Sequence, residues 1–150
     1  MDFQTIINNS VQAARADEMK TSEQLTLGEL ILKLEALEST YKNYNKKTVE
    51  RPVKFAFEYL KPTGVGSWRG SYNELAIKFD GDKGFTHKEF ITLLKETVGK
   101  QFTGYKGGEY TMGKTTPVWV ANYGNSGETA VVDVQQDEYT TYILTKQIPY

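Results

Sequence analysis

Cysteine is absent from this 150-residue chain, and histidine occurs only once. Without cysteine, disulfides, thiolate nucleophiles and cysteine-ligated metal sites are excluded. A single histidine leaves no second histidine for a zinc site. No pair of carboxylates stands at a spacing that suggests metal-assisted hydrolysis, so a hydrolase is only a third hypothesis for the function. We therefore predict a non-enzymatic protein without a metal or a cofactor.

Long apolar runs and an excess of charge are also missing. No stretch approaches the ~18 apolar residues of a membrane span, and the first residues lack the apolar core of a secretory signal, so we expect a cytoplasmic protein. The net charge is −1, which provides no overall attraction to nucleic acid, although it leaves room for a local basic patch. Ten tyrosines are present, and their abundance favours a β-rich fold or a binding face.

Two segments have the pattern of a capped amphipathic helix. The threonine-to-glutamate spacing of a capping box occurs twice, at Thr26 with Glu29 and at Thr86 with Glu89. Apolar residues at three- and four-residue steps follow each pair. We predict one helix over residues 26–38 and a second from residue 86 that ends at Gly99, a usual C-terminal stop.

Residues 2–19 carry a weaker helical pattern, with apolar residues at helical spacing in an otherwise polar segment. They form either an amphipathic helix that docks on the body or on a second copy, or a frayed chain end. A homo-oligomer is one outcome of such docking. We treat residues 1–24 as an N-terminal helical extension and residues 25–150 as a single domain.

Five segments have the composition or the alternation of strands: residues 53–59, 74–79, 117–121, 129–134 and 139–145. Helices and strands mix without a strict alternation. We therefore predict an α+β fold, in which an antiparallel sheet of about five strands packs against the two main helices. Residues 39–51 are polar and basic and predict an exposed connection. Its basic residues either contact phosphates or are simply solvated: Lys42, Lys46, Lys47 and Arg51.

Residues 108–115 match the phosphate-binding loop G-x-x-x-x-G-K-[ST] of many nucleotide hydrolases. That loop requires a buried strand before it and a helix after it, because the N–H groups of the helix bind the phosphates. Here the preceding residues are not an apolar strand, and the residues after Pro117 predict a strand. We therefore interpret the match as accidental.

His87 stands at the start of the second predicted helix, where we expect an exposed residue without a catalytic role. The turn Asp80–Gly84 superficially resembles a calcium-binding loop. Such a loop needs glycine at its sixth position and glutamate at its twelfth, which hold Phe85 and Ile91. We predict an ordinary turn.

Two glycine-rich segments, residues 67–72 and 102–108, combine aromatic and basic side chains. Aromatic faces can stack a base, arginine and lysine can pair with phosphate, and glycine lets backbone N–H groups approach closely. The alternative is that these are core and turn residues. The candidate ligand-binding residues are Trp68, Arg69, Tyr72, Phe102, Tyr105 and Lys106.

Four segments together resemble a family of small accessory proteins of tailed bacteriophages and prophages: LTLGEL (25–30), SWRGSYNELAI (67–77), GKQFTGYKGGEYTM (99–112) and TPVWVANYG (116–124). The resemblance covers about residues 25–134 and brings no established catalytic residue with it. It implies a protein of the host cytoplasm that counters host immunity.

Two binding functions are compatible with the residues and with the resemblance. In the first, the chain sequesters a nucleotide-derived signal between the two glycine-rich segments. In the alternative, it blocks a host defence protein directly, as an anti-CRISPR protein does. The first predicts a concave pocket, and the second predicts a flat or protruding surface with an aromatic anchor.

Overall fold

The computed structural model describes residues 23–57, 60–67, 74–103, 109–121 and 128–148. The predicted helix at residues 2–19 lies outside these ranges. The helices are α1 (Leu27–Glu35) and α2 (His87–Thr97), and the strands are β1 (Thr40–Lys42), β2 (Thr48–Glu50), β3 (Val53–Phe55), β4 (Gly64–Ser67), β5 (Leu75–Lys78), β6 (Gln101–Thr103), β7 (Glu109–Thr111), β8 (Val118–Val120), β9 (Glu128–Gln136) and β10 (Thr141–Ile148).

The main sheet has six strands in the order β3-β10-β9-β8-β5-β4. Three neighbouring pairs are antiparallel, whereas β3 with β10 and β5 with β8 are parallel. The predicted α+β class with two main helices is confirmed. The predicted antiparallel sheet is only partly confirmed, because the chain between β5 and β8 contains α2, and a crossover of that kind returns the chain in the same direction.

Each of the five predicted strands has a counterpart in the main sheet, namely β3, β5, β8, β9 and β10. The sixth, β4, arises from a Pro/Gly-rich segment that predicts a loop. Two further pairs, β1 with β2 and β6 with β7, form separate two-stranded sheets. The prediction of about five strands thus accounts for five of the six strands in the main sheet and misses the two separate two-stranded sheets.

Within the predicted exposed connection, residues 40–50 form the β1–β2 hairpin, and residues 44–48 around its turn are exposed. Thr40 pairs with Glu50 and Lys42 pairs with Thr48. The strands contain threonine, tyrosine and valine, which favour extended backbone. The turn between them contains two asparagines, which suit tight turns.

Both predicted capping boxes are present. The Thr26 hydroxyl accepts from the backbone N–H of Glu29, and the Glu29 carboxylate accepts from the Thr26 N–H at 2.9 Å. The same pair of bonds starts α2. Gly99 has a φ of 87°, which lets the chain reverse after α2, and its N–H donates to the carbonyl of Met112 at 2.7 Å.

The main core lies between the two helices and one face of the sheet. Both helices present a stripe of fully buried apolar residues to strands β3, β5, β8, β9 and β10. Leu25 enters the same core, and its backbone joins two strands by bonding to Val131 and Val118. The core residues from the helices are Leu27, Leu30, Ile31, Leu34, Phe90 and Leu94.

A smaller apolar cluster lies on the opposite face of the sheet, around Trp119, Ala76 and Ala130. The Trp119 indole N–H donates to the Glu74 carboxylate at 2.9 Å. Burial raises the pKa of Glu74 above its usual value, while the bond from Trp119 opposes that rise. Within the described ranges, neither helix has the length and apolar character that a membrane crossing requires.

Candidate functional site

Five of the six predicted ligand-binding residues lie outside the described residues: Trp68, Arg69, Tyr72, Tyr105 and Lys106. The sixth, Phe102, lies in β6 and is half-buried against the main core. The Lys100 ammonium lies 5.3 Å from the centre of the Phe102 ring. Part of this ring therefore faces protein, so that less of it is open for stacking on a ligand.

The strands that run into the two glycine-rich segments lie in contact. β4 ends at Ser67, the first residue of the first segment, and β6 ends at Thr103, the second residue of the second segment. β4 packs against β6 although they belong to different sheets. The two described strands that run into the segments are therefore neighbours in the fold.

The residues that match a phosphate-binding loop have another structural role. Glu109–Thr111 is strand β7, and a turn then leads into β8, which confirms the predicted strand. The carbonyls of Lys114 and Thr116 accept from the N–H groups of Gly28 and Leu27, each at 2.8 Å. These N–H groups belong to the first turn of α1. The segment therefore caps a helix with carbonyl oxygens instead of presenting a helix N-terminus to a phosphate.

His87 is fully buried, which corrects the prediction of an exposed residue. Its Nδ1 lies 2.8 Å from the Thr141 hydroxyl, and its Nε2 lies 2.7 Å from the Leu34 carbonyl. Burial lowers the pKa of His87; the bond to Leu34 opposes this, and the charge of Arg51 adds to it. With both nitrogens engaged, His87 supports the fold and is not available as a general base.

A sequence signal for this burial exists. The buried residues of α2 are His87, Phe90, Leu94 and Thr97. They repeat at three- and four-residue steps, so the helical spacing places His87 on the core face. Its polarity and its place at the helix start favoured the prediction of an exposed side chain.

Arg51 is only 8% exposed, whereas the lysines of the hairpin are exposed. One guanidinium nitrogen donates to the carbonyls of Glu38 and Thr40 at 2.9 and 2.6 Å, and the other donates to the carbonyl of Glu138 at 3.2 Å. Arg51 thus joins three chain segments and is not available for a phosphate. Lys42, by contrast, is exposed.

Two clefts border the helices. The first has a volume of about 360 Å³, with Ile31, Leu32 and Val98 among its apolar walls. The second, about 530 Å³, is more polar. The ion pair of Glu35 with Lys95 lines both. Among the described residues, no three histidine, cysteine or carboxylate side chains are placed to share a metal ion.

Large apolar and aromatic side chains are exposed at three described positions. Leu32 is 67% exposed on α1, Tyr44 is 98% exposed in the β1–β2 turn, and Tyr139 is 53% exposed before β10. The Tyr139 ring packs edge-on against Tyr41, with 5.1 Å between centres. Tyr44 therefore offers the most accessible aromatic ring among the described residues.

Comparisons of the chain with protein-family models, curated proteins and solved structures give no match. The resemblance to phage accessory proteins stays a prediction.

Proposed function

We propose that the chain is a non-enzymatic binding protein that sequesters a nucleotide-like ligand between residues 67–72 and 102–108. The observation that carries this proposal is the contact between β4 and β6. In the sequence, Trp68 directly follows Ser67, the last residue of β4, and Tyr105 follows Thr103, the last residue of β6, by two positions.

The residue types on these segments suit a nucleotide. Trp68 or Tyr105 stacks the base, and Arg69 and Lys106 hold phosphate, Arg69 through its two-pronged guanidinium. In this proposal Phe102, which is half-buried against the main core, contributes less to stacking than Trp68 or Tyr105.

A binding role agrees with the state of His87, the residue best suited to acid–base chemistry near neutral pH. Both of its ring nitrogens are engaged inside the core. The phage origin and the action against host immunity rest on the resemblance of the four segments quoted above. In that role the chain acts as a sponge that lowers the concentration of a defence signal.

Isothermal titration calorimetry tests the proposal. The full chain is titrated with a panel of cyclic nucleotides and ADP-ribose derivatives. We expect heat with at least one member, and a loss of that heat in Arg69→Ala. Lys88→Ala is the control, because Lys88 is exposed on α2. The absence of heat with every member would reject the proposal, as would unchanged binding by Arg69→Ala.

The alternative, a blocker of a host defence protein, is favoured by one observation. Leu32 is 67% exposed and lines the first cleft together with the apolar side chains of Ile31 and Val98, and contiguous exposed apolar surface marks a site for a protein or a ligand. Pull-downs from host lysate with the wild type and with Leu32→Asp test it. A defence protein that the wild type retains and Leu32→Asp loses, and whose purified form binds the wild type, supports the alternative. Equal retention by both contradicts it.

A further inference from the structure

The tip of the β1–β2 hairpin is a tightly bonded turn. The Asn43 N–H donates to the Lys47 carbonyl at 2.9 Å, and the Lys46 N–H donates to the Asn43 carbonyl at 2.8 Å. The Asn43 side-chain oxygen accepts from the backbone N–H groups of Asn45 and Lys47 at 2.9 and 3.0 Å. Lys46 has a φ of 62°, which closes the turn. Four hydrogen bonds therefore hold five residues in one conformation.

This turn presents one aromatic ring among positive charges. Tyr44 is 98% exposed, so both faces of its ring are open. Lys42, Lys46 and Lys47 are exposed beside it in sequence. Residues 39–49 contain these three lysines and no acidic residue. The tip is thus locally positive in a protein whose net charge is −1.

We propose that this tip binds single-stranded nucleic acid, with the Tyr44 ring stacked on a base and the lysines paired with phosphates. An exposed aromatic ring between basic side chains is the arrangement that single-strand binding without sequence preference requires. A duplex covers the faces of its bases, so the Tyr44 ring can reach them only in a single strand. None of these residues belongs to the segments 67–72 and 102–108.

The size of the tip favours a nucleic acid over a protein partner. A specific protein interface buries about 800 Å² on each side and is depleted in lysine. A turn of five residues rich in lysine and asparagine does not supply that area. Single-strand binding, in contrast, is built from one stacked ring and a few phosphate contacts at a time, and therefore fits a small surface.

Tyr139 is a matched control within the same protein. It is also exposed, but the neighbouring Glu138 carboxylate raises the pKa of its hydroxyl. Asp137 adds a second negative charge nearby. A phosphate chain is repelled there, so an exposed tyrosine alone does not make the proposed surface.

Fluorescence anisotropy with labelled oligo(dT) and oligo(U) of about 15 nucleotides, at about 50 mM salt, tests the proposal. We expect saturable binding by the full chain and weaker binding of a duplex of equal length. Tyr44→Ala raises the Kd about tenfold, whereas Tyr44→Phe and Tyr139→Ala leave it within about twofold. The double change Lys46→Glu and Lys47→Glu removes binding at this salt concentration. If two or three phosphates are neutralised, a plot of log K against log salt has a slope between roughly −1.4 and −2.1.

Three results would overturn the proposal: no saturable signal with either oligonucleotide, equal affinity of Tyr44→Ala and the wild type, or a duplex bound as tightly as a single strand. The Tyr44, Lys46 and Lys47 positions are exposed, so their variants are expected to be neutral for folding, whereas Tyr139→Ala also loses the ring contact with Tyr41; melting curves of each variant measure its stability. Arg69→Ala is expected to keep oligonucleotide binding, and Tyr44→Ala is expected to keep any nucleotide heat. The two proposals therefore fail independently.

Discussion

His87 Nδ1 lies 2.8 Å from the Thr141 hydroxyl oxygen, which joins the first residue of α2 to the first residue of β10. On the other side of the ring, Nε2 faces the Leu34 carbonyl in α1. A carbonyl can only accept, so Nε2 carries the proton, and Nδ1 accepts from the Thr141 hydroxyl. Gln136 donates to the same hydroxyl oxygen at 2.9 Å. One buried ring thus connects both helices to the sheet.

This arrangement predicts a loss of stability at mildly acid pH. The pKa of His87 in the folded protein is below its usual value near 6.5, mainly because of burial. In the unfolded chain the ring takes a proton as the pH falls through about 6.5, while the folded ring stays neutral. The free energy of unfolding is therefore highest above this pH and decreases as the pH falls toward the folded pKa. Urea unfolding at about pH 7.5, 6.5 and 5.5 measures the decrease.

His87→Gln provides the control, because it removes the only histidine. We expect it to be less stable than the wild type at pH 7.5, by about 1–3 kcal/mol, since glutamine does not replace both ring contacts. The difference between the two proteins narrows as the pH falls. Glu74, whose pKa is raised by burial, contributes with the opposite sign in both proteins. A difference that stays constant with pH would contradict the assignment.

Arg51 is expected to be essential for the position of the β1–β2 hairpin. Its guanidinium bridges the carbonyls of Glu38, Thr40 and Glu138. Arg51→Ala leaves these carbonyls without the donor in a buried place, so we expect a loss of about 3 kcal/mol or more in the free energy of unfolding. Chemical unfolding followed by circular dichroism measures it.

Arg51→Lys separates geometry from charge. A single ammonium cannot reproduce the fork of donors, so we expect it to recover less than half of the loss. Lys47→Ala, at an exposed position of the same hairpin, is expected to change stability by less than about 0.5 kcal/mol. A near-neutral Arg51→Ala, or full recovery by lysine, would refute the bridging role.

The helices were predictable and the strand neighbours were not, for a physical reason. A capping box and a helical stripe are local, so Thr26 with Glu29 was enough to place the start of α1. Alternation along a strand, in contrast, does not say which strand lies beside it or in which direction. The parallel pair of β5 with β8 depends on the path of the chain through α2, and single residues carry no sign of it.

Burial of polar residues was also hard to predict. His87 and Arg51 are both buried because backbone carbonyls of distant segments satisfy them, such as Leu34 and Glu138. No local sequence pattern indicates which distant carbonyl groups will accept hydrogen bonds from these two side chains. Of the candidate site, only Phe102 lies among the described residues, and its half-buried place was not visible in the residue types.

The N-terminal segment leads to a prediction about mass in solution. The apolar residues of segment 2–19 are too few to hold an isolated helix, so such a helix requires a surface to dock on. If that surface belongs to a second copy, deletion of residues 1–20 converts an oligomer into a monomer. Light scattering measures the mass of both forms. An unchanged mass would reject docking between copies.

Gly28 lies where α1 meets the turn before β8, and we expect a larger residue there to destabilise the protein. A Cβ at this position would lie 3.0 Å from both the Cβ and the carbonyl oxygen of Lys114. That carbonyl cannot retreat without losing its hydrogen bond from the Gly28 N–H. Alanine gains about 1 kcal/mol of helix propensity, but the overlap costs about 1–3 kcal/mol, so we expect Gly28→Ala to be destabilising in urea unfolding. Gly113→Ala, where a Cβ has no neighbour within 4 Å, is expected to stay within about 1 kcal/mol of the wild type. A Gly28→Ala variant that is more stable than the wild type would contradict this prediction. It would mean that the gain in helix propensity exceeds the cost of the overlap, and that the turn at Lys114 moves away from the added Cβ.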